Sequence, residues 1–492
     1  MLKSGGINYK LVSRVIGNLL MVESAVLFFV MFLSLAYGEG KDGWYFVGAS
    51  LLALVTGGVL ILIGRNAPAR VGKREGSMIV TFTWVIFSLI GAMPFWVSGS
   101  IPSFTDAFFE TISGFTTTGA SILNNIEELS HGMLFWRSLT HWVGGLGIIV
   151  ISLALLPMFG VSGTQLFAAE TTGPTKDKIH PKISETAKRL FAIYVILTFA
   201  ETIMLLFGGM NLFDAVCHSF STIATGGFST KQASIAYYHS PYIEYVVAVF
   251  MILSGINFGN YYLAYKRRFD KIKENEELRY YLIVLFIFAV IVALSLIDFS
   301  KALNGSVIEK AWREAFFTVS SLMSTCGMVT TDYMHWKPLT WIILIIVMMT
   351  GASAGSTSGG IKMIRVVISA KACYYEFKRL IHPTAIIPVR YNKHVVREDI
   401  LTRVIAFTLL YIVVAVFGIL ALAISGMGFI ESIGGMVTCL GGVGPGLGLV
   451  GPMGNFSEVP EFSKWFLCLV MLAGRLELYT VLMIFTPAFW KG

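Results

Sequence analysis

Four short segments of this sequence carry the residue types that can replace the hydration shell of a cation. They read FTTTGAS at 115–121, TIATGGFST at 222–230, STCGM at 324–328 and GGVGPG at 441–446. Thr116, Thr117, Thr118, Thr225, Thr325 and Thr438 offer hydroxyl and carbonyl oxygens, and glycine permits backbone conformations that turn carbonyls inward. No Lys or Arg falls within the four segments, which points to a cation rather than an anion. Each segment has a glycine thirteen positions after an acid: Asp106 to Gly119, Asp214 to Gly227, Glu314 to Gly327, and Glu431 to Gly444. The glycines are 108, 100 and 117 residues apart, an internal repeat. One such stretch alone reads as an ordinary Gly/Thr loop. Four in the same register read as a ring of backbone oxygens. The acids are expected to act as helix caps, because carboxylates are favoured at helix N-termini whatever the function.

The spacing also says what must hold these segments. A helix of thirteen residues is roughly 20 Å long, too short for a hydrocarbon core of about 30 Å, so it re-enters from the side it came from. Irregular backbone at that depth survives only where it lines a cavity or is buried in protein. Each unit therefore reads span, half-helix, glycine segment, span. Four units around a pseudo-fourfold axis bring four strands of carbonyls together, which is how a cation selectivity filter is built. The half-helices end toward the membrane interior, where their negative dipole ends favour a cation.

Composition agrees with a membrane setting. The 492 residues are 55% apolar and 13% charged, against about 25% charged in soluble domains. Mean hydropathy is +0.73. Ten spans are expected, near 13–37, 44–64, 77–99, 132–157, 187–208, 241–264, 279–298, 339–360, 401–425 and 463–487. The fold expected is an all-α polytopic membrane protein with four span, pore-helix, span repeats. Of the 37 Lys and Arg residues, 28 fall on one face, assigned as cytoplasmic together with both termini. The basic loop at 362–403 could seat an acidic partner or anionic headgroups. Cys217, Cys326, Cys373, Cys439 and Cys468 are far apart, with no disulfide or zinc pattern.

Two features interrupt the apolar spans. In WIILIIVMMTGASAGSTSGGIKMIR, the glycines Gly351, Gly355, Gly359 and Gly360 stand with Ser353, Ser356, Thr357 and Ser358. Three of the glycines, at spacing four, could form a close-packing face. G-A-S-A-G also fits a hydrolase nucleophile pattern at Ser353, but it lies in a span and His382 and His394 fall in the basic loop. The Gly359-Gly360 pair and the hydroxyls favour a broken segment over both readings. Arg475 falls about halfway along the last span, where a charge costs roughly 2.5–3.5 kcal/mol and usually faces a cavity or a partner. An ion pair with Glu201 is one alternative; Glu477, two residues away on a helix, is a poor partner. Glu23 and Glu201, inside spans, have no evident role.

The four glycine segments, with ETTGPTKDKIHPKISETAKRL at 170–190, resemble the TrkH/TrkG/KtrB potassium-uptake subunits of the superfamily of K⁺ transporters over nearly the whole length. The 170–190 loop and an extra N-terminal helix pair favour the TrkH branch. The resemblance implies units at 1–75 (helix pair) and 76–160, 161–270, 271–370 and 371–492 (pore repeats). By motif match the filter is Thr117, Thr118 and Gly119; Thr225, Gly226 and Gly227; Thr325, Cys326 and Gly327; and Gly442, Val443 and Gly444. With a thiol at Cys326, backbone carbonyls must carry selectivity. Gly119, where Na⁺-preferring plant relatives have serine, implies K⁺ as the transported ion. The resemblance further implies that 351–360 is an intramembrane gate loop and that Arg475 is an electrostatic barrier below the filter. It also implies a homodimer in a bacterial inner membrane, a cytosolic TrkA-type nucleotide-binding partner, no bound cofactor and no enzymatic activity. A Na⁺-preferring or Na⁺/H⁺-coupled carrier and an intramembrane serine hydrolase are the alternatives.

Overall fold

The computed structural model describes residues 7–67, 72–145, 147, 183–298 and 304–491. The later part of the span expected at 132–157 and residues 170–182 of the expected cytoplasmic loop lie outside the described residues. Among those described the chain is helical, with one two-stranded hairpin, β1 (Arg390–Tyr391) and β2 (His394–Val395). The N-terminal pair is α1 (Tyr9–Ala36) and α2 (Gly40–Ile63). Unit one follows as α3 (Lys73–Gly91), α4 (Phe104–Phe115) and α5 (His131–Gly145). Unit two is α6 (Ile183–Phe207), α7 (Leu212–Ile223), α8 (Pro241–Ser254) and α9 (Phe258–Tyr265). Unit three is α10 (Glu276–Leu296), α11 (Gly305–Met323) and α12 (Pro338–Thr350), followed by α13 (Met363–Ile381). Unit four is α14 (Glu398–Ile424), α15 (Phe429–Gly441), α16 (Glu461–Arg475) and α17 (Leu478–Leu482).

Six helices among the described residues are long and apolar enough to cross a membrane. Two more of the ten expected spans are broken: α8 and α9 meet at 91°, and the chain turns by 120° after α16. Large apolar side chains on the outer helices stay exposed, including Leu62, Phe417 and Ile424, as expected where the solvent is lipid tails. Without a hydrophobic drive, helices in lipid associate through close approach and hydrogen bonds. The α1–α2 pair uses both. A Cβ on Gly17 would stand 2.7 Å from the Gly57 carbonyl oxygen. Seven residues along, the Ser24 hydroxyl donates to the Ser50 carbonyl (2.8 Å) and the Ser50 hydroxyl to the Ser24 carbonyl (2.9 Å).

In every unit the short helix (α4, α7, α11, α15) packs between its own two flanking helices, and the second flanking helix also packs on the short helix of the next unit. Thus α5 touches α7, α8 touches α11, α12 touches α15 and α16 returns to α4, closing a ring of four. Polar links hold two of these joints: Lys464 to Asp106 at 2.6 Å between α16 and α4, and Arg313 to Glu244 at 2.7 Å between α11 and α8. The acids expected as caps stand instead in the first turn in three units, where the capping residue is Ser103, Asn211 or Gly428. Asp106, Asp214 and Glu431 lie in first turns. Glu314 does not: α11 begins at Gly305, which leaves Glu314 mid-helix, where it faces Lys310 at 3.8 Å.

Candidate functional site: a ring of four loops above an inner loop

All four short helices end in the same turn. The residues after the last helical turn, Thr117, Thr225, Thr325 and Gly442, have φ of 54°, 56°, 59° and 69°. Two positions on, Gly119, Gly227, Gly327 and Gly444 have φ of 77°, 86°, 81° and 99°. The N–H between them reaches back to the helix: Thr118 to the Ser113 carbonyl (2.9 Å), Gly226 to Ser221 (2.8 Å), Cys326 to Ser321 (2.8 Å) and Val443 to Thr438 (2.9 Å). This six-to-one bond is the usual closure of a helix by a left-handed residue, a place normally given to glycine. Threonine there is strained by about 1–3 kcal/mol, and such strain clusters at functional sites. Three of the four loops carry it.

The glycine two positions on is required twice over. Besides its positive φ, a Cβ on Gly119 would overlap the Gly226 carbonyl oxygen, one on Gly227 that of Cys326, one on Gly327 that of Val443, and one on Gly444 that of Thr118. Each loop therefore lies against the next and the fourth against the first, so the ring seen in the helices closes again in the backbone. Side chains contribute unevenly. Cys326 and Val443 are fully buried, Thr118 bonds Thr116 (2.8 Å) and Thr225 bonds the Ala224 carbonyl (2.6 Å). Carbonyl oxygens are what all four loops share.

The ring separates two cavities. One is lined by all four glycines of the second set. The other is lined by residues 355–360, Lys362 and Arg475. Between α12 and α13 the chain leaves the helix at Gly351 (φ 67°) and turns again at Gly355 (76°), Gly360 (74°) and Lys362 (78°), so the span expected at 339–360 is helical only to Thr350. The irregular segment is fastened to three of the four loops. The Gly359 N–H donates to the Thr325 hydroxyl (2.7 Å) and the Thr357 hydroxyl to the Ile223 carbonyl (3.1 Å). Gly359 also lies against the Gly441 carbonyl, leaving no room for a Cβ.

Arg475 is the last residue of α16, not the middle of a straight span. Its guanidinium donates to the carbonyls of Thr357 (2.5 Å), Gly144 (2.6 Å) and Gly145 (2.8 Å). Glu477 instead pairs with Arg365 at 2.6 Å. Ser353 is buried and its hydroxyl has no partner among the described residues, while His382 and His394 sit on exposed backbone at the end of α13 and in the hairpin. Among the described residues the Ser353 hydroxyl has no hydrogen bond to a base, the contact that would activate it as a nucleophile.

Residues 45–491 match the TrkH family, described as cation transport proteins. The chain belongs to the TrkH family. It is 38% identical to the Trk system potassium uptake protein TrkH of Escherichia coli K12, over 98% of this chain and 100% of that one. It is 32% identical to the Trk system potassium uptake protein TrkG of the same strain, over 98% and 99%. The crystal structure of the potassium transporter TrkH from Vibrio parahaemolyticus superposes with a TM-score of 0.87 at 32% identity, covering 99% of this chain and 100% of that one.

One buried element of this TrkH-family chain escaped sequence reading. Arg137 on α5 and Glu110 on α4 form an ion pair at 2.6 Å, with side chains 3% and 0% exposed. Arg137 also donates to the Ser229 carbonyl (2.8 Å) and lies 3.5 Å over the Phe228 ring. Glu110 accepts from the Ile122 N–H (2.9 Å) and the Ser121 hydroxyl (3.0 Å). The pair thus ties the chain just beyond Gly119 to the chain just beyond Gly227. By composition Arg137 reads as a residue near the start of a span and Glu110 as a helix residue; nothing in their spacing shows that they meet. Removing one member strands a buried charge, so Glu110→Ala is expected to lower folding stability by about 3–5 kcal/mol. Thermal unfolding of the purified protein in detergent checks this, and an unchanged midpoint refutes it.

Proposed function

We propose that this chain is the membrane subunit of a bacterial inner-membrane K⁺ uptake system. The observation that carries the reading is the fourfold closure of the glycine loops, each glycine seated on the neighbouring loop's carbonyl beneath a cavity that all four share. The relatives named as potassium uptake proteins support the choice of ion. On this reading the filter is formed by residues 117–119, 225–227, 325–327 and 442–444, and residues 351–360 with Arg475 gate it from the inner side. The units are 1–75, 76–160, 161–270, 271–370 and 371–492. Both termini are cytoplasmic, the protein is a homodimer, and the basic 362–403 face receives a cytosolic nucleotide-binding regulator of the TrkA type. An inside-negative potential of 100 mV is worth about 2.3 kcal/mol per charge, roughly a fiftyfold gradient, so uptake needs no chemical fuel.

Reconstitution in liposomes tests this. K⁺ flux is expected to exceed Na⁺ flux, and equal or larger Na⁺ flux overturns the reading in favour of a Na⁺-preferring carrier. Gly119→Ser places a side chain where the Gly226 carbonyl stands, at a φ of 77° that disfavours it. Strain of about 1–3 kcal/mol at that position is expected to lower the K⁺/Na⁺ ratio roughly tenfold. An unaltered ratio removes Gly119 from the filter.

A further inference from the structure

Glu277 is buried at 3% exposure in the first turn of α10, at the inner end of the third unit. One of its carboxylate oxygens accepts two backbone N–H groups, from Ala354 at 2.6 Å and from Ile364 at 3.2 Å. These donors lie on opposite arms of the irregular segment, one near its start at Gly351 and the other just beyond its end in α13. A single oxygen therefore pins the outgoing and returning strands together.

The first turn of α10, which carries this carboxylate, is itself held. The Asn275 side chain caps α10 by accepting from the Leu278 N–H (3.3 Å). The Glu276 N–H donates to the Asn392 side chain of the hairpin (2.9 Å), and the Glu276 carboxylate pairs with Lys371 on α13. Glu277 thus stands on a turn braced by α13 and the hairpin, and ties both arms of the segment to α10. An irregular backbone inside a membrane protein must find acceptors for its N–H groups. The Glu277 side-chain oxygen supplies that acceptor here, and leaving its two N–H donors unpaired in a buried place is costly. Any displacement of the segment that separates its arms from α10 breaks both bonds at once.

We infer that Glu277 is a positioning residue of the gate, setting the balance between the seated segment and a displaced, conducting one. The inference rests on reading 351–360 as the gate. It is tested by K⁺ flux in liposomes containing the full chain, with Glu277→Ala, Glu277→Gln and Glu277→Asp, each also made in a chain lacking residues 352–358.

Loss of the acceptor oxygen in Glu277→Ala is expected to raise flux about fivefold to tenfold. Glu277→Gln keeps an amide oxygen in the same place and is expected to stay within about twofold of the parent. Glu277→Asp, too short to reach both donors, is expected to raise flux about threefold, and it carries the test if the alanine protein fails to fold. In the deleted chain none of the three changes flux further, and the K⁺/Na⁺ ratio is constant throughout. A general loosening of the fold would give neither the non-additivity nor the glutamine rescue. If the deletion raises flux while alanine and aspartate do not, the role of Glu277 falls and the gate stands. If the deletion leaves flux unchanged, the gate reading falls and the inference falls with it. If glutamine behaves like alanine, charge rather than acceptor geometry is at work and the positioning role is overturned.

Discussion

Deleting residues 352–358 is expected to raise K⁺ flux by at least about tenfold, which corresponds to lowering the barrier by about 1.4 kcal/mol. The segment stands between the inner cavity and the ring, and its bonds to Thr325 and to the Ile223 carbonyl place it directly beneath the turns proposed as the filter. An ion crossing there must displace backbone already satisfied by those partners. The deletion can be made without tearing the fold because the two arms run side by side. Ile361 N–H donates to the Met349 carbonyl (3.0 Å) and Lys362 N–H to that of Thr350 (3.0 Å). A Cβ on Gly351 would lie 3.2 Å from the Gly360 Cα, so joining Gly351 to Gly359 bridges almost no gap. The measurement is liposome flux normalised to inserted protein, beside a thermal melt. Unchanged flux with a normal melt removes the segment from the ion path.

What the sequence made legible follows from how strongly each feature constrains residue type. The four second-set glycines stand out because two demands coincide on them, a positive φ and a neighbouring carbonyl where a Cβ would be, and no other residue meets both. Gly351 meets the same two demands, against the Gly359 carbonyl, and Gly355 and Gly360 share the positive φ, so the break in the span was readable, although the docking partners of the segment were not. Helix direction was less visible. Averaged hydropathy stays high across the 91° turn between Ser254 and Phe258, and across the turn after Arg475, where Glu477 takes a φ of 64°. A sliding window counts apolar residues and is blind to angle. Side-chain partners at long range were not legible at all. Glu110 meets Arg137 within the first unit and Glu277 meets Ala354 within the third, 27 and 77 residues apart, because each unit folds back on itself, and no local pattern encodes which side chains then meet. Glu314 shows the converse error: it keeps the thirteen-residue spacing to Gly327 yet sits mid-helix, because α11 extends about two turns further back than its counterparts.

Arg475→Ala is expected to raise K⁺ flux by roughly thirtyfold. A cation passing about 8 Å from a guanidinium at an effective dielectric near 20 meets about 2 kcal/mol of repulsion, and that barrier disappears with the charge. The residue does a second job, however. At the end of α16 it donates to the Thr357 carbonyl in the segment and to the Gly144 and Gly145 carbonyls of α5, so it also fastens the segment to the first unit. Barrier and tether separate by substitution. Arg475→Lys keeps the charge but lacks the planar fork that reaches several carbonyls together, so as a barrier it stays near parental flux and as a tether it rises toward alanine. Combining Arg475→Ala with the 352–358 deletion gives an independent decision. The deletion removes the Thr357 carbonyl, so a pure tether adds nothing further, whereas a barrier multiplies the flux of the deleted chain by the same factor as in the intact one. The charge is expected to dominate, because two of the three carbonyls it holds belong to α5 and not to the segment. Lysine flux close to alanine, with no multiplication in the deleted chain, would reverse that assignment.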